Sequence, residues 1–367
     1  MPVVSITGPR QSGKTTLCRM LFPEHTYANL EHPEVRAFAL DDPNAFIRQG
    51  EQNGLIIDEA QYAPGLFSYI QVIADETKQS GRFIISGSQN FLLMEKITHS
   101  LAGRVAIFHL LPLSLSELKS TPYFPDTPFQ YILQGGYPRI YDQQVDLDIF
   151  FSSYIQTYIE RDVRQLLQVG DLQQFQQFAK ICAGRVGQLF NQSAIAGEIG
   201  LTHTTIRRWL SVLETSFIVY RLPPYFKNFN KRLIKTPKLY FYDTGLAAYL
   251  LGFRSVQELD THYARGALFE NFVINEFVKS KGTDPQTLYF WRDRRGREID
   301  LLVETSQGIF PIEIKSSATF KLEFFKNIKY FNSISGNDNG LSTIIYAGDR
   351  NYDLSEGKVK SWSSIAE

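Results

Sequence analysis

Residues 3–16 read VVSITGPRQSGKTT, an aliphatic stretch that runs directly into a glycine-rich loop. The first five residues of the stretch, Val3–Thr7, have the composition and length of one buried strand. The loop matches the pattern G-x-x-x-x-G-K-[ST] through Gly8, Gly13, Lys14 and Thr15. Glycines at these positions let backbone N–H groups surround the phosphates of a nucleotide, and the following helix directs its positive end at them. The stretch therefore predicts a nucleoside triphosphate site on a strand–loop–helix unit.

The side chains of the loop add charge and metal ligation to the backbone cradle. Lys14 places a positive charge beside the β- and γ-phosphates, and the Thr15 hydroxyl is a ligand for Mg²⁺. The residues predicted to contact the nucleotide are Gly8, Pro9, Arg10, Gln11, Ser12, Gly13, Lys14, Thr15 and Thr16. ATP and Mg²⁺ are the cofactors that this pattern predicts.

A second aliphatic run, at residues 55–57, ends in the carboxylates Asp58 and Glu59. We expect Asp58 to hold Mg²⁺ through water or through Thr15, and Glu59 to act as the general base that polarises the attacking water. Two solvated carboxylates at a strand end are the structural alternative. An adjacent glutamate favours a hydrolase over a nucleotide-binding switch.

Two further segments carry polar residues that suit contacts with the γ-phosphate. A strand predicted at 82–86 ends in Ser86-Gly87-Ser88-Gln89, where Ser88 is the predicted contact and Ser86 and Gln89 are equally able to make it. Arg104 is predicted to be an arginine finger that stabilises charge on the nucleotide of a neighbouring subunit, which implies a homo-oligomer. A local salt bridge of Arg104 is the alternative.

The composition is that of a globular chain with two or three domains. The sequence has 367 residues, and its 43% hydrophobic residues exclude a disordered chain. Cys18 and Cys182 lie too far apart in sequence for a short-spaced zinc motif, and two cysteines exclude a disulfide scaffold. The sequence has neither an apolar run of about 18 residues nor a signal-like start. We expect a cytoplasmic protein without a membrane partner.

The balance of 38 basic and 38 acidic residues conceals an uneven distribution of charge. Residues 1–120 carry 10 basic and 12 acidic side chains, whereas residues 176–240 carry 10 basic and two acidic ones, a net charge of +8. Clustered lysine and arginine are what neutralise phosphates in a nucleic-acid interface. The segment therefore favours DNA as a partner, with a solvated basic surface as the alternative.

Residues 193–214 of this basic segment read SAIAGEIGLTHTTIRRWLSVLE and have the pattern of a helix-turn-helix. Ser193 is predicted to cap a short helix, Gly200 to make the turn, and Thr202 or Thr204 to start a second helix. The residues of that helix predicted to face inward are Ile206, Trp209, Leu210 and Leu213.

Strands predicted at 217–222 and 238–242 would form a wing behind the second helix. The residues predicted to bind DNA are Arg207, Arg208, Lys231, Arg232 and Lys235. Winged helices also serve as protein–protein modules, so a protein partner is the alternative to DNA.

The last third of the chain predicts a helix at 267–277 and strands at 288–292, 298–304 and 309–315. Adjacent strands would bring Asp300 and Glu313 together as oxygen ligands for Mg²⁺, with Lys315 on the same strand face as Glu313. This D…E-x-K arrangement resembles the restriction-endonuclease-like, or PD-(D/E)XK, fold. The resemblance implies that Lys315 orients water and that Glu270 is an additional carboxylate. The same fold also occurs as an inactive binding platform.

From residue 3 to about residue 345 the chain resembles a prokaryotic family of AAA+ type P-loop ATPases fused to a C-terminal domain of unknown function. The resemblance rests on ITGPRQSGKTTL, YANLEHPEVRAFALDDPNAFI, LIIDEAQ, IISGSQNFLL, and SLAGRV followed by LLPLSLSEL. Relatives generally have a helical segment before the phosphate-loop strand. The expectation here is an adenine-contacting element that is short, missing or supplied elsewhere.

The expected fold is α/β: a P-loop NTPase of the ASCE/AAA+ type with a helical lid, a winged helix-turn-helix and a PD-(D/E)XK nuclease-like α/β domain. The expected boundaries are 1–118 for the ATPase, 119–175 for the helical lid or linker, 176–245 for the winged helix-turn-helix and 246–367 for the nuclease-like domain. The expected function is Mg²⁺-dependent ATP hydrolysis coupled to a DNA-binding half. An ATP-gated nuclease, or an NTP switch with a protein partner, is the alternative.

Overall fold

The computed structural model describes residues 1–77, 79–87, 100–159, 172–226, 235–280, 285–337 and 339–366. Four residues singled out in the sequence, Ser88, Gln89, Lys231 and Arg232, lie outside this described part. The chain divides into two compact units, the first made of Met1–Leu111 with Ser211–Ile218 and the second of Pro112–Leu210 with Val219–Glu367. Within the described residues, no helix combines the length and the apolar character that a membrane crossing needs.

The first unit is built on a parallel sheet of five strands in the order β2-β3-β4-β1-β5. The strands are β1 (Val3–Thr7), β2 (Thr26–Asn29), β3 (Leu55–Asp58), β4 (Phe83–Gly87) and β5 (Val105–His109). Strands β3 and β4 are buried along their whole length, as expected for parallel strands that are covered on both faces. The sequence predicted β1, β3 and β4, and β2 was missed because its residues, TYAN, are only partly apolar.

The described part of this unit has four α-helices beside the sheet: α1 (Lys14–Leu21), α2 (Pro33–Asp41), α3 (Pro43–Arg48) and α4 (Leu66–Thr77). Helices α2 and α3 each begin at a proline, whose fixed φ suits the first helical position. Since β4 lies between β1 and β3, the carboxyl ends of these three strands meet at one edge of the sheet. Ligand sites of open α/β sheets lie at this edge.

The second unit begins with short helices: α5 (Leu115–Leu118), α6 (Pro128–Gln134), α7 (Pro138–Asp142) and α8 (Leu147–Tyr154), the last followed by a π-helical turn, Ile155–Ile159. The turn after α6 requires glycine at Gly135, which has φ 73° and leaves only 2.4 Å between an added Cβ and Asp243 Oδ1. The buried Asp243 carboxylate accepts a hydrogen bond of 2.7 Å from the Gly136 N–H. It therefore ties this turn to the start of a later helix.

The next elements that the structure describes are α9 (Leu172–Gly184), α10 (Gln192–Glu198), α11 (His203–Thr215), β6 (Val219–Leu222) and the antiparallel β7 (Lys238–Phe241). The four residues of α11 expected to face inward are buried. The prediction that Ser193 caps α10 was wrong, because the Asn191 side chain accepts the N–H groups of Ser193 and Ala194 at 3.1 Å. Thr202 caps α11 by accepting the Thr205 N–H.

The remainder of the second unit surrounds a six-stranded mixed sheet of order β12-β13-β11-β10-β9-β8. Its strands are β8 (Leu288–Arg292), β9 (Glu298–Thr305), β10 (Gly308–Lys315), β11 (Thr343–Tyr346), β12 (Tyr352–Leu354) and β13 (Gly357–Ser361). The helices are α12 (Thr244–Leu250), α13 (Val256–Asp260), α14 (Arg265–Lys279) and α15 (Lys326–Ser335). The predicted antiparallel meander β8-β9-β10 is present, and three further strands extend it.

Candidate functional site

The loop between β1 and α1 has the backbone geometry of a phosphate cradle. Gly13, immediately before α1, has φ 91°, and Gly8 has φ 152°. A Cβ on Gly8 would lie 2.1 Å from the Leu110 carbonyl oxygen, so no larger residue fits without moving that backbone. Gln11 at the loop apex also has a left-handed φ, of 61°. The loop is thus tightly folded at Gly8, Gln11 and Gly13.

Lys14, the first residue of α1, follows this loop and has only 6% of its surface exposed. Its Nζ donates hydrogen bonds to the Pro9 carbonyl at 2.7 Å and to the Gly8 carbonyl at 3.1 Å. Burial lowers the pKa of Lys14 to about 8, although Glu59 and Asp58 act in the opposite direction. The ammonium group is therefore held beside the loop carbonyls at the place where a polyphosphate would be cradled.

Asp58, at the end of β3, is buried and collects hydroxyl groups from three elements. Thr15 Oγ1 on α1 donates to Asp58 Oδ2 at 2.7 Å, and the Tyr27 hydroxyl on β2 donates to the same atom at 2.8 Å. The Ser86 hydroxyl on β4 donates to Asp58 Oδ1. The structure thus brings together the two residues expected to flank Mg²⁺, and it adds Tyr27, which sequence reasoning missed.

Glu59 follows Asp58 in a left-handed conformation, with φ 54°. This turn directs the chain away from the strand and leaves Glu59 half-buried beside the loop. Its N–H donates to Asp58 Oδ1 at 3.2 Å, and the Gln61 side-chain amide donates to its carboxylate. Gln61 was also missed by sequence reasoning, although it lies within the quoted string LIIDEAQ. The arrangement orients the carboxylate of the predicted base.

The residues present fit a nucleotide accompanied by Mg²⁺. Ser12 Oγ is buried in the loop and has no hydrogen-bond partner among the described residues. A buried hydroxyl without a partner costs free energy, and a phosphate oxygen would satisfy it. The loop Gly8–Thr16 would therefore hold the phosphates, and Thr15 and Asp58 would face the cation.

Arg104 forms a bidentate salt bridge with Asp75 of α4, in which Nη2 and Oδ2 are 2.8 Å apart. The structural alternative raised by the sequence is therefore present within the chain. An arginine finger would require the guanidinium to leave Asp75. Ser86, the alternative to Ser88, is occupied by its hydrogen bond to Asp58.

A second polar cluster lies in the second unit, where α14 faces β9. Carboxylate oxygens of Glu270, Glu298 and Asp300 all lie within 4.8 Å of one another. Glu298 and Asp300 are two residues apart on β9 and so share a strand face. Sequence reasoning included Glu270 and Asp300 and missed Glu298, because it searched only for the D…E-x-K spacing.

Lys238 of β7 lies inside this acidic cluster, with 1% of its surface exposed. Its Nζ is 2.8 Å from Glu270 Oε1 and is also paired with Glu298. Burial lowers the pKa of Lys238, but Glu270 and Glu298 outweigh burial and raise it above its ordinary value. The count of basic residues in segment 176–240 treated Lys238 as part of a basic surface, and this was wrong.

The D…E-x-K residues also converge. Lys315 Nζ is 2.8 Å from Glu313 Oε1 and 3.7 Å from Asp300 Oδ2. Asp300 Oδ2 accepts a hydrogen bond of 2.8 Å from the Ile314 N–H. Burial, and then the charge of Asp300, raise the pKa of Glu313 to about 8. The structure therefore places these three residues next to one another, as predicted.

The acidic cluster in this arrangement does not fit a divalent metal. Mg²⁺ and Ca²⁺ bind carboxylate oxygens at about 2.0–2.6 Å. The Lys238 ammonium already lies against two of the three carboxylates, Glu270 and Glu298. A divalent ion at these carboxylates would have to displace Lys238, so no cleavage step through a metal at this cluster follows from the geometry.

The predicted DNA-binding residues that the structure describes lie on the surface. Arg207 and Arg208 are exposed on α11, on the side opposite the buried Trp209, and Lys235 is exposed before β7. Trp209 packs edge-on against Phe175 of α9, with ring centroids 5.4 Å apart. The apolar side of α11 is thus fixed, and its basic side is free to meet solvent or a partner.

Comparison with known proteins assigns these regions to families. Residues 1–119 match the AAA domain family. Residues 126–257 match one domain of unknown function, DUF8612, and residues 265–365 match another, DUF4143. The match, the parallel sheet and the phosphate loop together define the first unit as an AAA-type P-loop NTPase domain.

The chain belongs to the same family as the uncharacterized proteins Mb2031c of Mycobacterium bovis and Rv2008c of Mycobacterium tuberculosis. It is 33% identical to each over 364 residues, which cover 98% of this chain and 79% of the relative. An uncharacterized protein of Haemophilus influenzae is 25% identical over 238 residues, with 61% of this chain and 57% of that protein covered.

Two solved structures show a weaker likeness. A point variant of RuvB from Thermotoga maritima has a TM-score of 0.30 and 19% identity, and the alignment covers 61% of this chain and 83% of RuvB. A STAND-type signal transduction ATPase with a tetratricopeptide repeat sensor from Pyrococcus horikoshii has a TM-score of 0.26 and 14% identity, covering 76% and 43%. At these values neither adds to the family match.

Proposed function

We propose that the protein is a Mg²⁺-dependent ATPase whose nucleotide cycle is coupled to DNA bound by its second unit. The observation that carries the ATPase part is the hydrogen bond between Thr15 and Asp58. Thr15 follows the buried Lys14 in the sequence, and Asp58 precedes Glu59. These four side chains come from two separate segments of the sequence. Their convergence at the carboxyl edge of a parallel sheet is the arrangement that phosphoryl-transfer chemistry uses.

The proposed chemistry follows from what each side chain does beside a bound nucleotide. Mg²⁺ bound with the nucleotide would neutralise charge on the phosphates. Lys14 provides a fixed positive charge for the β- and γ-phosphates, and Thr15 and Asp58 provide oxygen atoms on the side of the cation. Glu59 accepts a proton from the attacking water, while Gln61 keeps the Glu59 carboxylate oriented. The proposal includes a homo-oligomer in which an arginine finger reaches a neighbour's nucleotide.

Replacement of Glu59 by glutamine tests the hydrolytic role. Glu59→Gln keeps the size of the side chain and removes the base, so ATP turnover should fall by about 100-fold or more while nucleotide binding persists. Binding is measured with a fluorescent ATP analogue and turnover by phosphate release. Glu24→Gln, at an exposed glutamate of the same unit, should leave both unchanged. Normal turnover in Glu59→Gln would refute the assignment.

DNA binding is proposed for α10, α11 and the β6–β7 pair, as a winged helix-turn-helix with α11 in the major groove. Support comes from the exposure of Arg207 and Arg208 opposite the buried face of α11. Lys235, together with Lys231 and Arg232, extends the proposed contact on the basis of the sequence. The ATPase rate, measured with and without duplex DNA over a series of salt concentrations, tests the coupling. Stimulation by DNA that disappears as salt rises is expected.

Two alternatives remain open to experiment. An NTP switch with a protein partner predicts no duplex binding even at low salt. An ATP-gated nuclease predicts Mg²⁺-dependent cleavage that Glu313→Ala abolishes while ATP turnover continues. Lys238, which lies against Glu270 and Glu298, weighs against a metal-dependent nuclease and favours a binding platform.

A further inference from the structure

We propose that Lys238 is the resident cation of the acidic cluster formed by Glu270, Glu298 and Asp300. Its ammonium group occupies the place where these carboxylates would hold a divalent ion. With Lys238 in place, the cluster therefore does not bind a divalent metal. This inference depends neither on ATP hydrolysis nor on DNA binding.

The Lys238 ammonium lies against the carboxylates of the cluster. The three carboxylates offer oxygens within 4.8 Å of one another, which is the spacing of a shared cation site. Lys238 Nζ lies 2.8 Å from Glu270 Oε1 and is ion-paired with Glu298, so it contacts two of the three. A divalent ion bound to the same oxygens would lie within a few ångströms of the ammonium, and the two cations would repel each other strongly.

Backbone hydrogen bonds of β7 fix Lys238 in this position. Lys238 begins β7, and Phe241 at the end of β7 is tied to α14, the helix that carries Glu270. Asn271 accepts the Phe241 N–H at 2.9 Å and donates to the Phe241 carbonyl at 2.8 Å. The Asn275 side chain donates to the same carbonyl at 2.9 Å. Strand β7 therefore presents Lys238 to Glu270 through a hydrogen-bonded register.

Other donors around Lys238 also contact Glu270 and Glu298. The Tyr240 hydroxyl, two residues along β7, donates to Glu270 Oε1 at 2.5 Å, and Arg292 of β8 pairs with Glu298 Oε2 at 3.1 Å. Glu270 and Glu298 thus have donors from β7 and β8 already in place. A buried lysine is unfavourable unless carboxylates compensate it, and buried carboxylates need the lysine in the same way. The arrangement satisfies both partners without an added ion.

Manganese binding to the nucleotide-free, full-length chain tests the proposal. Bound Mn²⁺ is counted by electron paramagnetic resonance for the wild type, Lys238→Met and the control Lys358→Met, which replaces an exposed lysine on β13 of the same unit. Any weak binding at the phosphate loop is common to all three proteins. Lys238→Met should bind one additional Mn²⁺ per chain, at least about tenfold more tightly than the wild type does at this cluster. The control should match the wild type.

Thermal melting gives a second readout that needs no activity. Loss of the ammonium removes the buried cation that Glu270 and Glu298 share, so Lys238→Met should melt at least about 5 °C lower in EDTA and recover with Mn²⁺. Lys238→Met/Asp300→Asn should lose both the additional Mn²⁺ and this recovery. Lys358→Met should melt at nearly the same temperature as the wild type, both with and without Mn²⁺.

Mn²⁺ binding by the wild type gives a test that does not depend on whether Lys238→Met folds. Mn²⁺ binding by the wild type that Glu298→Gln abolishes would overturn the proposal, because the native cluster would then hold a metal with Lys238 present. A folded Lys238→Met that gains no Mn²⁺ would overturn it as well. Lys238→Arg, which keeps the positive charge, should gain no site.

Discussion

Lys14 combines two properties that oppose each other, a buried amine and a polyanion-binding role. Since burial lowers its pKa to about 8, a growing share of the nucleotide-free protein carries a neutral amine above that pH. Phosphates favour the protonated form. Binding of ATP should therefore take up a proton near pH 8–9, and affinity should fall as the pH rises through this window.

Titration calorimetry in buffers of different ionisation enthalpy measures this proton uptake directly. Lys14→Met removes the titrating group and should abolish the uptake as well as most of the affinity. Lys326→Met, at an exposed lysine of α15, is the control and should keep both. Equal proton uptake in the wild type and in a nucleotide-binding Lys14→Met would assign the proton to another group.

At the scale of elements, the turn between α6 and α7 depends on one glycine. A Cβ on Gly135 would meet the Asp243 carboxylate at 2.4 Å, and φ is 73°. Gly135→Ala should therefore lower the free energy of unfolding by about 2–4 kcal/mol. Gly184→Ala, at the end of α9 where an added Cβ meets open space, should change it by no more than about 0.5 kcal/mol. Urea unfolding measures both, and equal stabilities would contradict the steric argument.

Helix α11 is the element whose exposed arginines should contact DNA phosphates or bases. Arg207→Gln/Arg208→Gln should weaken duplex binding and reduce the slope of log K against log salt by roughly 0.9 for each phosphate that the variant no longer neutralises. The matched control is Lys358→Gln/Lys360→Gln, which removes two exposed lysines of β13. An equal loss of affinity in both double variants would indicate a general charge effect, and unchanged affinity in the arginine variant would place DNA elsewhere.

Substitution of Arg104 tests whether the active ATPase is an assembly of several copies of the chain. If Arg104 acts on a neighbour's nucleotide, the ATPase rate per chain should rise with protein concentration, and Arg104→Ala should remove this rise. Asp75→Asn weakens the salt bridge that holds Arg104 and should preserve the rise. A rate per chain that is independent of concentration in the wild type would leave Arg104 with its local structural role.

The phosphate loop was predictable because all its determinants are contiguous in sequence, from Gly8 to Thr16. The meeting of Thr15 with Asp58 was predictable as well, since parallel strands bring their carboxyl ends to one edge. Tyr27 and Ser86 were not assigned to Asp58, because the order of strands in a sheet is a tertiary property that local patterns do not encode. Donors from β2 and β4 reach Asp58 only once those strands flank β3.

Lys238 shows where counting charges fails. A segment-wise sum treats every lysine as exposed, whereas burial depends on partners that lie 30 to 60 residues further along the chain, such as Glu270 and Glu298. The correction removes Lys238 from the basic surface and adds it to the acidic cluster. Asn191 shows the same limit on a smaller scale: several residue types cap helices, and only the folded backbone selects between Asn191 and Ser193.

The ammonium at the acidic cluster comes from β7, whereas the carboxylates come from α14 and β9. The two halves of this ion network are therefore encoded in separate stretches of the gene and can change independently. A single codon substitution at position 238, with every acidic residue untouched, is enough to alter what the cluster attracts. Within the family, a metal at this cluster is expected only in chains that lack a basic residue at this position.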